Sequence, residues 1–206
     1  MIATLHDGPA DAATTVVLAH GAGAGMTHPF LANVARGLAA AGFAVVRFDF
    51  AYRTAGKRVP DRMPVLQDTM RTVVREHVRG PFVLAGKSMG GRVATMLADE
   101  LGPRAVAVFG YPFHPPDKPQ QLRTAHLATL RTPTLILQGE RDEFGTRSEV
   151  ATYPLSPAIR IEWFEGGDHS LAPRRASGFT KQTHFARALE SVVTFVTAQS
   201  FTGGRP

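Results

Sequence analysis

A chain of 206 residues, 44% apolar and 19% charged, is long enough to bury a core and has the balance of an ordinary folded domain. It contains no cysteine, which excludes disulfides, thiolate metal sites and a cysteine nucleophile. Lys and Arg total 23 against 17 acids, a net charge of +6, but no basic run carries interleaved aromatics and no zinc-finger spacing occurs, so a solubilising surface is the reading and no nucleic-acid partner is expected.

No apolar run reaches the roughly 18 residues of a membrane span, and the opening "MIATLHDGPA" lacks the basic-then-apolar profile of an export signal. One domain over 1–206, off the membrane and in the cytoplasm, is the expectation. Short β-rich runs alternate with longer stretches whose apolar residues recur three and four apart, the pattern of βαβ units around a parallel sheet.

Only Ile2 to His6 precedes the first long predicted strand, 14–20, "TTVVLAH". That strand runs into His20-Gly21-Ala22-Gly23-Ala24-Gly25. A dinucleotide fingerprint needs a glycine at 26, where Met26 stands, so the run reads as a His-Gly loop in which the Ala22 amide is an oxyanion donor and His20 bonds the loop. The next stretch, 29–41, sets Leu31, Val34 and Leu38 on one helical face, with Thr27 as the expected cap, Pro29 near the start and Gly42 just past the end.

A strand at 43–50 leads into "AYRTAGKRVPDRMP", 51–64, where Arg53, Lys57 and Arg58 read first as an exposed basic loop and second as contacts for an anionic acyl group. A helix follows at 64–79 with Leu66, Met70, Val73 and Val74 inward. The strand at 81–86 ends in Gly86-Lys87-Ser88-Met89-Gly90, and a helix carrying Val93, Met96 and Leu97 should start at the serine.

After a strand at 104–110 comes the proline-rich "YPFHPPDKPQQ", 111–121. Ligands gather at the C-terminal edge of parallel sheets. Tyr111, Phe113 and His114, together with His28, are therefore candidate substrate contacts, with loop packing as the alternative. Strands at 133–139 and 158–164 end in "ERDEFG" and "EGGDHS". The final helix, 181–198, buries Phe185, Leu189, Val192 and Val196, and the tail from 201 to 206 is expected to fray.

The segment around Ser88 has two readings. A phosphate-binding Gly-x-x-x-x-Gly-Lys-Ser loop would need glycine at Pro81 and a flexible loop where Phe82, Val83 and Leu84 form a buried strand, so that spacing fails. Gly-x-Ser-x-Gly between a strand and a helix is the alternative, and it displays Ser88 at a helix N-terminus whose free amides favour negative charge. The Met89 amide is then a second oxyanion donor. A serine hydroxyl needs a base to take its proton, and the base needs an acid to orient it. His169 follows the last strand and fits the base; Asp142 fits the acid, with Glu140 and Asp168 as alternatives. No metal or cofactor is required by such chemistry.

Taken together, "AHGAGAGMTHPF", "VRFDF", "LAGKSMGGR", "YPFHPP", "LILQGERDEFG" and "GGDHS" resemble the α/β-hydrolase superfamily, and within it the compact, capless bacterial serine esterases grouped as dienelactone-hydrolase-like. The resemblance covers nearly the whole chain. It implies a mostly parallel sheet of about six to seven strands with helices on both faces, no cap domain, and Ser88, Asp142 and His169 as nucleophile, orienting acid and general base acting on a small-molecule ester or thioester. True dienelactone hydrolases use a cysteine nucleophile, which disfavours their substrate here, and the two antiparallel N-terminal strands of larger relatives are expected to be missing. An acyltransferase using the same residues, or a non-catalytic interaction module on the same fold, are the rival expectations.

Overall fold

The computed structural model describes residues 2–201. Its strands are β1 (Thr4–Asp7), β2 (Thr15–Ala19), β3 (Ala44–Phe48), β4 (Phe82–Lys87), β5 (Ala105–Phe109), β6 (Thr134–Gly139) and β7 (Ile159–Phe164). Its helices are α1 (Pro29–Ala40), α2 (Ala51–Thr54), α3 (Met63–His77), α4 (Met89–Leu101), α5 (Arg147–Val150) and α6 (Lys181–Phe201). The tail expected to fray lies outside the described residues, apart from Phe201 at the end of α6.

All seven strands join one sheet in the order β1-β3-β2-β4-β5-β6-β7, with β1 antiparallel to β3 and every other pair parallel. The expected sheet size is met. Strand alternation divides the core in two. Val17 and Ala19 of β2, Leu84 of β4 and Val106 and Val108 of β5 pack with Leu66, Met70 and Val73 of α3 and Val93 and Leu97 of α4. On the other face Val16 and Leu18, Val83 and Ala85, and Ala105 and Ala107 pack with Leu31, Val34 and Leu38 of α1 and Val192 and Val196 of α6. Helices on both faces explain why β2, β4, β5 and β6 are apolar almost throughout. No cap domain rises from the β5–β6 connection, whose only regular piece is a 3₁₀ turn at Ala125–Ala128.

Three local readings need correction. His28, not Thr27, caps α1, its Nδ1 accepting from the Phe30 amide at 3.2 Å. Part of the expected basic loop coils into the short α2. The helix expected at 64–79 starts at Met63 and stops at His77, because Val78 turns to an extended conformation.

Near the N-terminus one antiparallel strand is present. β1 is fixed by Arg47 of β3, which donates from Nε and Nη2 to the two Asp7 carboxylate oxygens at 2.8 and 3.0 Å, a fork-on-fork ion pair. The same guanidinium donates from Nη1 to the Met26 carbonyl at 2.7 Å, while Asp49 Oδ1 accepts from the Met26 amide at 2.7 Å. These bonds clamp the far end of the 21–28 loop to the sheet.

Candidate active site

The chain leaves β2 toward β3 on one side and returns through β4 on the other, so the order of connections reverses between β2 and β4. A crevice opens at the C-terminal ends of strands at such a reversal. The loop after β2 and the turn after β4 flank it, and these carry Ala22 and Ser88.

Ser88 sits at φ 51° and ψ −114°, a backbone conformation that side chains other than glycine seldom adopt. The surrounding packing holds it there. A Cβ on Gly86 would lie 2.4 Å from the Gly90 carbonyl carbon, and one on Gly90 would lie 2.6 Å from the Ala19 carbonyl oxygen. Any side chain at either position would push the turn away from the sheet. The corner also makes Met89 the first residue of α4, with its amide beyond the reach of any intrahelical carbonyl.

His169, on the loop after β7, brings Nε2 to 2.8 Å from Ser88 Oγ and Nδ1 to 2.8 Å from Asp142 Oδ2. A carboxylate only accepts, which places the ring proton on Nδ1 and leaves Nε2 to accept from the serine hydroxyl. Asp142 is fully buried. Its Oδ1 accepts from the Phe144 amide at 2.9 Å and its Oδ2 from Gln138 Nε2 at 2.8 Å. The Gln138 side-chain oxygen Oε1 in turn accepts from the Tyr111 amide at 2.7 Å, tying β6 to the start of the β5–β6 connection.

The alternative acids are engaged elsewhere. Glu140 accepts from Arg147 and from the Gly166 amide, and Asp168 accepts from the amides of Ser170 and Ala172 to shape the loop beside His169.

Two further groups steady the imidazole. The Phe144 ring lies over it, centroid to centroid 4.2 Å. Lys87, immediately before the serine, donates from Nζ to the His169 carbonyl at 2.6 Å. Burial drives the Lys87 ammonium down to about 8, with the Asp142 and Asp168 charges pulling weakly the other way.

His20 is completely buried. Its Nε2 accepts from the Phe50 amide at 3.2 Å, and its Nδ1 donates to the Gly21 carbonyl at 2.8 Å. Burial lowers the pKa of this imidazole, which bonds the start of the Ala22 loop.

A cavity of about 630 Å³ opens over these groups. Ala22, His28, Ser88, Met89 and His169 line it, with apolar walls from Phe30, Leu31, Met63, Leu66 and Phe144.

The other expected contacts lie elsewhere. Tyr111 and Phe113 are fully buried against each other, and the Tyr111 hydroxyl donates to the Arg123 carbonyl at 2.9 Å. His114 is buried, with Nδ1 bonded to the Pro115 carbonyl at 2.8 Å. The connection folds these three side chains into the core and away from the cavity wall. Arg53, Lys57 and Arg58 are also absent from the wall, to which that loop contributes Pro60 and Asp61. The basic residues that do line it are Lys87, Arg92 and Arg123. Arg92 had a readable signal in its place four residues after Ser88 on one helical face; Arg123 had none.

The chain matches the family model for the alpha/beta hydrolase domain over residues 12–197. It belongs to that family. Among solved structures, this hydrolase is similar to a lidless serine hydrolase of Xanthomonas campestris, at 20% identity and TM-score 0.69 over 100% of this chain and 91% of that one. A serine hydrolase homologue of Coxiella burnetii is 17% identical, with TM-score 0.71 over 94% of this chain and 89% of its own. Est1E of Butyrivibrio proteoclasticus, solved with ferulic acid bound, is 13% identical, with TM-score 0.75 over 95% and 96% of the two chains. Likeness at these identities speaks to the fold. Among the described residues of the hydrolase, no helix is long and apolar enough to cross a membrane, and no cluster of His, Cys, Asp and Glu has metal-holding geometry.

Proposed function

We propose that this hydrolase cleaves a carboxylic ester or thioester through an acyl-enzyme on Ser88. The observation that carries this reading is the unbroken hydrogen-bonded line from Ser88 through His169 to Asp142, with both contacts at 2.8 Å and the serine facing the cavity.

As Ser88 Oγ bonds to the substrate carbonyl carbon, its proton passes to His169 Nε2, and Asp142 balances the imidazolium. The carbonyl oxygen takes the negative charge and is held by the Ala22 and Met89 amides, each worth roughly two to three powers of ten in rate. Collapse breaks the bond to the alcohol or thiol, which leaves with the proton from His169. Water then gives a proton to His169 and its oxygen to the acyl carbon; Ser88 departs, reprotonated. His28, on the wall and capping α1, is the remaining substrate contact in this reading.

A panel of nitrophenyl esters of graded acyl length, run beside Ser88→Ala, tests it with a fluorophosphonate probe. Turnover and a single adduct on Ser88, both lost in the alanine variant, are expected. A folded wild type that turns over no ester and takes no adduct would overturn the reading.

A further inference from the structure

Arg92 and Arg123 enter the same cavity as Ser88 from different elements. Arg92 stands one helical turn beyond the serine, its amide donating to the Ser88 carbonyl at 3.0 Å, so its side chain leaves the same face of α4 about 5–6 Å away. Arg123 comes from the β5–β6 connection. Its backbone is pinned by its amide on the Phe113 carbonyl at 2.7 Å and by the Tyr111 hydroxyl on its own carbonyl at 2.9 Å.

Both residues are half-buried, yet among the described residues neither guanidinium forms an ion pair or a side-chain hydrogen bond. Arg92 Nε is buried with no partner at all. Asp61, the acidic residue on the cavity wall, is in ion-pair reach of neither. The two cations also feel each other: burial first and the Arg92 charge second lower the pKa of Arg123. Nearby His126, bonded to Thr95 Oγ1 at 2.9 Å, is held down to about 4 by burial and by Arg92, so it adds no third positive charge.

Two like charges partly withdrawn from water, side by side and without a counter-ion among the described residues, cost stability rather than add to it. Guanidinium groups present planar, paired donors that suit a carboxylate or a phosphate.

We propose that Arg92 and Arg123 form an anion-binding wall, and that the substrate bears a carboxylate or phosphate a short spacer away from the carbonyl that Ser88 attacks. This rests on the serine hydrolase reading and narrows it to anionic esters or thioesters.

The test compares kcat/KM for the nitrophenyl monoester of glutaric acid with that for the nitrophenyl ester of valeric acid, its uncharged counterpart. A wild-type preference of about tenfold or more for the charged ester is expected. Arg92→Met and Arg123→Met should each cut that ratio about tenfold, and Arg92→Lys should recover part of it.

Calorimetric titration of Ser88→Ala with monomethyl glutarate and with inorganic phosphate reads the wall without turnover and separates the two anion classes. At least one should bind, and that binding should vanish in Ser88→Ala carrying Arg92→Met. Fluorophosphonate labelling of the wild type reports the serine independently. Labelled enzyme with no preference for the charged ester and no anion binding overturns the anionic wall while the hydrolase reading stands. Anion binding lost with Arg92→Met in a protein that neither labels nor turns over ester keeps the wall and overturns the hydrolase.

Discussion

Two turns leave neighbouring strands at the same end of the sheet: the β4–α4 corner and the long connection after β5. Both sequences offer reactive side chains at the edge where ligands bind. The corner has little freedom, since Gly86 and Gly90 press against backbone and Ser88 is forced to positive φ with its hydroxyl outward. The connection is free to choose, and it buries Tyr111, Phe113 and His114 while sending Arg123 to the cavity. Exposure at a sheet edge is therefore decided by backbone sterics in one case and by hydrophobic packing in the other.

The contrast breaks most sharply at the corner. Ser88→Ala should lower turnover by up to about six powers of ten, equivalent to roughly 8 kcal/mol of barrier, in protein that melts like the wild type. An ester rate within tenfold of wild type would move the nucleophile elsewhere. Asp142→Asn comes next. Its amide donates where the carboxylate accepted, turning the imidazole toward the wrong tautomer, and about four powers of ten in kcat should be lost. Steady-state kinetics on a nitrophenyl ester measure it, and a loss below tenfold would make Asp142 a packing residue.

On the connection, Phe113→Ala should remove about 3–5 kcal/mol of stability in urea unfolding, as for other buried aromatics, while kcat/KM per folded molecule stays near wild type. If kcat/KM collapses and stability holds, Phe113 belongs to the substrate site after all.

Lys87 gives the smallest effect and ties the corner to the His169 loop. Its ammonium titrates near 8 in the fold against an ordinary 10.5, so between those values the unfolded chain holds the extra proton and wild-type stability rises with pH. The rise, at most about 3 kcal/mol, should be missing in Lys87→Met when urea midpoints near pH 7.5 and pH 10.5 are compared. Parallel pH profiles for the two proteins would show that the amine stays charged.

The difference between these regions also sets what could be read from the residues alone. Ser88 is legible because its corner demands glycines at fixed offsets, and His169 because it follows the last strand in a glycine-loosened loop. Asp142 is one of three candidate carboxylates in the sequence, and what singles it out is spatial: its bond to His169 Nδ1 and the Gln138 and Phe144 donors that hold it there. Most of the sheet follows from its apolar runs, but the antiparallel pairing of β1 depends on Asp7 meeting Arg47 forty positions on. Irregular connections carry no period, so the inward turn of Tyr111, Phe113 and His114 and the outward turn of Arg123 left no trace in the sequence.

Arg47 joins the outermost strand to the rim of the crevice, because one guanidinium holds both Asp7 and the Met26 carbonyl. Tension on either end is shared through it. Occupying the crevice should therefore slow deuterium uptake at residues 4–7, a segment that no ligand seated over Ser88 needs to touch, and Arg47→Leu should uncouple the two.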